Sequence, residues 1–322
     1  MNITNAFFEG LRRVMHTRLL WISLFVLTFI ASLPVAAVMF RTLDQAMGSG
    51  FAQEGSRTGF DMDWFGEFQA GRQGIGTTFT PSIIGFGAVL NNIETFLDGS
   101  FFELYIGIVA AVLLYLLAWT FFAGGVISTY AEGRGFSREG FIQSSARYFV
   151  RFLQLLVLAG ILYFLVFRYV GKPLFKGIEN WTQDWTDERP VLFLNIGAYV
   201  VVLFLLTVIS MAFDYAKIHT ILEGRKNMIA AMLRGFGFVL NNPLKTFGLY
   251  YLVGTIACLV MLGYAAVAPG PGQSSTSTVI VAFLVGQAYL LARMGVKLLF
   301  LSSQTVMMAS HRPLPQEEPV IA

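Results

Sequence analysis

"LYIGIVAAVLLYLLAWTFFAGGVISTYAEGR", Leu104–Arg134, carries no charged side chain from Leu104 to Ala131 and then breaks off on Glu132, Gly133 and Arg134. Crossing the ~30 Å hydrocarbon layer of a bilayer takes ~20 apolar residues in a helix, and this stretch meets that demand. Read outward from it, five further runs do the same: 19–40, 152–170, 191–211, 247–268 and 278–301, beside 104–129 itself. The expected fold class is therefore all-α: a polytopic helical membrane protein with about six transmembrane helices and additional interfacial amphipathic helices.

Composition agrees, with 56% hydrophobic and 13% charged residues across the 322. The apolar residues come in blocks rather than in the periodic stripes of soluble amphipathic helices. The first run follows "RRVMHTR" and resembles a secretory leader, but it is longer than a leader's apolar core, and Arg41 follows it without a convincing cleavage site. It is expected to stay as a span. Cys258 is the single cysteine and lies inside the fifth run, so no intrachain disulfide can form.

Charge sets the expected orientation. Fifteen of the 22 Lys and Arg fall before the first span, between the second and third, between the fourth and fifth, and after the sixth. Acidic residues divide the other way, seven against twelve. The positive-inside bias then places both termini in the cytoplasm. Net charge is only +3, and anionic headgroups on that face account for it without nucleic acid.

The exit at Glu132, Gly133 and Arg134 recurs at Glu223, Gly224 and Arg225. "VISTYAEGR", Val126–Arg134, and "KIHTILEGR", Lys217–Arg225, share Ile, Thr and then Glu-Gly-Arg. Each glycine can adopt the left-handed conformation that ends a helix, and each arginine favours the negative helix terminus. Beyond the exits, "FSREGFIQSSARYFVRFLQLL" (Phe136–Leu156) and "NMIAAMLRGFGFVLNNPLKTF" (Asn227–Phe247) mix basic and aromatic residues, as helices lying in the headgroup layer do. The N-terminal segment 1–18 repeats the half-unit. Laid on the second copy, Gly10 falls over Gly235, Val14 over Val239 and Leu19 over Leu244. Expected is a single membrane domain, 1–322: an interfacial helix and span, two parallel hairpins, and a closing sixth span. Duplication and a shared solution to one helix-exit problem both explain the match.

This layout resembles several families of poorly characterised bacterial six-span integral membrane proteins, including ones like the membrane domain attached to some glycerophosphodiesterases. The resemblance runs from Ala6 to about Met308. It implies the multi-pass architecture and a bacterial inner-membrane location, and it carries no activity, because no soluble stretch is long enough for a phosphodiesterase domain.

The extracytoplasmic loop 41–103 is the one substantial segment outside the spans. Its first half, "MGSGFAQEGSRTGFDMDWFGEFQAGRQGIG" (Met47–Gly76), is expected to be irregular and held by its aromatic rings. Asp61, Asp63 and Glu67 are weak candidates for a divalent cation, since their spacing lacks the full ligand set of a calcium loop. A solvated acidic loop is the plainer reading. "TPSIIGFGAVLNNIETFLDG" (Thr80–Gly99) predicts an amphipathic helix near 81–98, with Thr80 as cap, Pro81 in the first turn and Ile83, Phe86, Leu90, Ile93 and Leu97 along one face. In the second outside loop, Trp181 and Trp185 are expected to anchor at the interface. "NWT", Asn180–Thr182, is formally a glycosylation sequon, and "APGPGQSSTST", Ala268–Thr278, reads as a linker.

Charges near the spans decide the functional options. Arg293 falls within the sixth span, with Tyr289 one turn before and Lys297 one turn after. A charge near the bilayer centre costs ~2.5–3.5 kcal/mol on insertion scales and calls for a partner. Asp214, just past the fourth span, is the acidic candidate by depth. Tyr289, Arg293, Lys297 and Asp214 would then form a polar seam, serving an ion, a proton or an anionic solute. The alternative is that the long basic side chains snorkel to the headgroups.

His16, His219 and His311 make no metal-ligand spacing, and no nucleotide loop, nucleophile elbow or zinc-protease helix occurs. The sequence thus points to no catalytic residue and no cofactor. Three functions remain, in this order: a non-catalytic subunit or scaffold working with the lipid bilayer and other membrane subunits, a small-solute or ion transporter, and an intramembrane lipid-modifying enzyme.

Overall fold

A computed structural model describes residues 1–47, 62–71, 76, 79, 86–97, 106–133, 136–268 and 275–311. No strand occurs among them. Six helices are long and apolar enough to cross a membrane, so the chain is a multi-pass helical membrane protein.

The elements in order are α1 (Ile3–His16), α2 (Arg18–Met47), α3 (Met62–Gly71), α4 (Phe86–Leu97), α5 (Ile106–Glu132), α6 (Arg138–Val166), α7 (Lys172–Thr182), α8 (Glu188–Glu223), α9 (Met228–Asn241), α10 (Pro243–Val267) and α11 (Thr276–Ala309). The spans outrun their apolar runs. At 1.5 Å per residue, the 36-residue α8 is roughly 54 Å long against ~30 Å of hydrocarbon. The excess carries the helix beyond the apolar layer, and there the polar chemistry is concentrated.

Two segments expected as loops are helical. A single π turn, Phe167–Gly171, joins α6 to α7. The expected second outside loop is therefore largely helix, with Pro173 at the start of α7, directly after the π turn. Within the first outside loop, α3 replaces part of the expected irregular stretch. The aromatic residues do hold it: Phe65 and Phe68 are buried, with ring centroids 6.3 and 5.8 Å from that of Phe79. The amphipathic helix expected near 81–98 is α4, on which Leu90 and Ile93 remain exposed. Thr80, Pro81 and Ile83 lie outside the described residues.

The chain forms two compact units. One joins Met1–Leu20, Thr120–Thr255 and Val296–Ala322; the other joins Trp21–Trp119 and Ile256–Gly295.

In the first unit one local arrangement occurs three times. Asn2, Ser137 and Asn227 cap α1, α6 and α9, each side chain accepting a backbone N–H of the first turn. Eight residues on, Gly10, Ser145 and Gly235 are buried against a neighbouring helix. Gly10 meets Ser303 of α11, Ser145 meets Gly124 and Gly125 of α5, and Gly235 meets Ala212 and Ala216 of α8. The register between α1 and α9 is the one expected from sequence: Ala6, Gly10 and Val14 are buried on one, Ala231, Gly235 and Val239 on the other. Only the middle copy lacks a break before its span. At the two breaks Thr17 Oγ1 donates to the Arg13 carbonyl at 2.9 Å and Asn242 Nδ2 to the Phe238 carbonyl at 3.2 Å. Pro243 favours the second break, since the residue before a proline avoids the helical conformation. The corresponding position in α6 is Phe152, within the continuing helix.

The closing span thereby finds its partner. α11 packs on α1 through Gly10, and Ser302 Oγ donates to the Gly10 carbonyl at 3.0 Å. The two ends of the chain complete a third helix pair of the kind made by α5 with α6 and by α8 with α9.

Both exit glycines are left-handed, Gly133 at φ +64° and Gly224 at φ +66°, as their positions predict. Gly224→Ala is expected to destabilise the protein by about 1 kcal/mol, because the space around the site is open and only the backbone conformation resists a Cβ. Thermal unfolding in detergent measures it; an unchanged midpoint would show that the exit tolerates another conformation.

Candidate functional site

Arg134 lies outside the described residues; Arg13 and Arg151 reach the exits from other helices. Arg13 Nη1 of α1 donates to the carbonyl of Tyr130, in the last turn of α5, and its guanidinium lies beside Gly133. Thr17 Oγ1 lies 3.4 Å from the Tyr130 hydroxyl. Arg151 Nη1 of α6 donates to the Gly224 carbonyl at 3.4 Å. Lys245 Nζ of α10 lies 3.3 Å from His311 Nε2, just past α11, and the His311 ring meets Phe238 edge-on at 5.5 Å. Two exits are thus capped at a carbonyl by a cation from another helix, and a third cation, Lys245, meets a side chain just past α11, so that the three contacts form a cycle. Orphan carbonyls at a helix terminus carry partial negative charge, so a cation there satisfies hydrogen bonding and dipole together.

The glutamates of the two exits differ. Glu132 accepts a hydrogen bond from Ser128 at 3.2 Å. Glu223 gathers Arg225, Arg234 at 2.9 Å and His219 at 3.1 Å. Through Arg234 the cluster ties α9 to the end of α8. Its side chains run from 16% exposed at His219 to 48% at Arg234.

Asp214 sits ten residues before the α8 exit, roughly 15 Å up the helix. Its partner is Lys217 of the same helix, at 3.1 Å, and the two side chains are 19% and 23% exposed. One turn deeper lies Ser210, to which Tyr163 of α6 and Tyr250 of α10 both hydrogen-bond. Asp214 is close enough to interact electrostatically with Tyr163, Tyr215 and Tyr250. Three helices therefore converge on a carboxylate, an ammonium, a hydroxyl and phenols. Sequence reasoning found Asp214 and missed Tyr163, Ser210 and Tyr250, which look like ordinary span residues until the fold brings them together.

In the second unit, Arg293 is exposed and interacts electrostatically with Tyr115, which hydrogen-bonds Thr28. Thr28 also donates to Met294 Sδ at 3.6 Å. Tyr289 stacks on Tyr264 at 4.3 Å, and Trp21 Nε1 donates to the Leu291 carbonyl at 2.6 Å. An exposed arginine with a flexible stem can reach the headgroup layer, as the snorkelling alternative requires. Lys297, one turn along α11, belongs to the first unit and is half-buried.

Of the weak cation candidates, Asp61 lies outside the described residues. Asp63 and Glu67 stand one turn apart on α3, and Glu67 is exposed. No group of three or more potential metal ligands occurs among the described residues. Trp181 and Trp185 meet edge-on at 5.3 Å. With Asp187, Arg189 and Phe193 they line an open, mostly apolar cavity of about 460 Å³.

Comparison with protein-family models, with curated proteins and with solved structures gave no match to this chain.

Proposed function

We propose that this protein is a non-catalytic subunit or scaffold of a complex in a bacterial inner membrane, with both termini in the cytoplasm. The observation that carries this reading is the cycle of capped exits. Arg13, Arg151 and Lys245, three cations of the basic side, are engaged at helix ends of the protein itself. Such an arrangement rigidifies a platform. It leaves apolar side chains of the interfacial helices facing outward, Phe8 and Met15 on α1, Ile142 and Val150 on α6, and Leu233 and Leu240 on α9. Lipid tails and the flanks of other membrane subunits both suit such surfaces.

Purification of the native protein in mild detergent, followed by native electrophoresis and mass spectrometry, tests the proposal. A defined larger assembly with other polypeptides is expected. A stable monomer or homo-oligomer in every mild detergent would overturn it.

The Asp214 centre favours a second reading, as a transporter of an ion or small solute. An ionisable group with hydrogen-bonding neighbours on three helices is what a polar path across a span requires. Asp214→Asn discriminates. A transporter loses flux in proteoliposomes; a scaffold keeps its assembly and loses about 1 kcal/mol of stability as Lys217 gives up a largely buried partner.

A further inference from the structure

We propose that Arg147 and Arg151 of α6, gathered over the ring of Tyr148, bind the headgroup phosphate of an anionic phospholipid. The guanidinium carbons lie 5.7 and 5.5 Å from the ring centroid. Residues four apart share a helix face, where two like charges repel each other. The Tyr148 π face offsets part of that repulsion, and a shared anion removes the rest.

Four nearby carboxylates are engaged elsewhere, Glu132 with Ser128 among them. Glu9 pairs with Arg12 and Arg13, Asp214 with Lys217, and Glu223 with His219, Arg225 and Arg234. Glu139 is two helical turns from Arg147 on α6. Among the described residues no carboxylate pairs with either arginine.

Position and surroundings indicate a lipid. Arg151 immediately precedes the apolar run that begins at Phe152, which sets the pair at headgroup depth. Its hydrogen bond to the Gly224 carbonyl holds it beside the α8 exit, where Arg225 and Lys226 follow in the chain. At that depth the phosphates of the bilayer's own anionic lipids are the nearest anions. The site is independent of the scaffold reading, since a transporter could carry it equally.

The test uses the full chain in detergent with equal phosphatidylglycerol and phosphatidylcholine, read by native mass spectrometry. The wild type is expected to retain phosphatidylglycerol in preference. Arg147→Gln should weaken retention about fivefold, and the double change with Arg151→Gln about thirtyfold. Arg12→Gln, which also removes one charge from the basic side, should stay within about twofold of wild type. Arg147 makes no hydrogen bond within the described fold, so the single variant stays informative even if the double variant fails to fold. Equal retention by Arg147→Gln and wild type would overturn the proposal. So would displacement of the lipid by excess inorganic phosphate, which would make the ligand a free anion.

Discussion

Gly235→Ala is expected to cost about 3 kcal/mol, because a Cβ there would lie 2.1 Å from the Ala212 carbonyl oxygen and 3.0 Å from the Ala216 nitrogen. Both atoms belong to the backbone of α8, so no side chain can swing aside. Relief requires α9 to move away from α8 as a body. That shift would pull Phe238 from Tyr215, whose ring centroids are 4.7 Å apart, and would loosen the contact of His311 with Phe238. Gly237→Ala, two residues along the same helix, is the internal control. Nothing lies within 4 Å of its Cβ, so the better helix propensity of alanine should stabilise by up to about 1 kcal/mol. Opposite shifts in the thermal midpoint, measured side by side in one detergent, are the expected result. Similar shifts of the same sign would mean that the close approach of α9 to α8 is not what holds them.

Arg13→Gln should have the second-largest effect, about 2 kcal/mol, for a reason of charge rather than volume. The Arg13 side chain is 26% exposed and joins Glu9, at 3.0 Å, to the Tyr130 carbonyl. Its loss leaves that carbonyl at the negative end of α5 without a charged donor, and hydrogen bonds to charged groups sit near this magnitude. Arg12, its neighbour, is 73% exposed and reaches Glu9 only at 4.0 Å. Arg12→Gln should therefore change stability by less than about 0.5 kcal/mol. Equal losses from the two variants would show that net charge on this face matters and the exit contact does not. Because α1 and α5 are far apart in sequence, limited proteolysis of the Arg13 variant should release the N-terminal segment first.

The glycine exits illustrate how much could be read without coordinates. Gly133 and Gly224 were expected to be left-handed because a helix leaving the bilayer must end its hydrogen-bond ladder and only glycine does so without steric cost. That is a local constraint, visible in a tripeptide. The identity of the capping cations was not visible in the same way. Arg225, next to its glycine in sequence, pairs with Glu223, while Arg151 reaches the Gly224 carbonyl from another helix. Nearness in sequence suggested one arginine, and packing supplied the other.

The Asp214 centre shows the same division. An acidic residue after an apolar run is conspicuous, so Asp214 is a candidate from the sequence alone. Lys217 could have been paired with it from i, i+3 spacing alone. Tyr163 and Tyr250 could not, since a tyrosine inside an apolar run gives no indication of which helix its hydroxyl faces. The 172–182 segment is too polar to be a span, but Leu174, Phe175, Ile178 and Trp181 recur at helical spacing, and α7 continues from α6 through the π turn.

Bilayer thickness and the cost of unpaired peptide groups act on each segment separately. They leave a chain of this composition no choice but helices, set how many are long enough to cross, and place glycines at their ends. Those features follow from residue order alone. The cycle of exits does not, because it depends on Gly10 meeting Ser303 across most of the chain's length, and on Arg13 meeting Tyr130 117 residues away. No local preference selects such partners. Close packing does, by admitting a backbone only where a side chain is small enough.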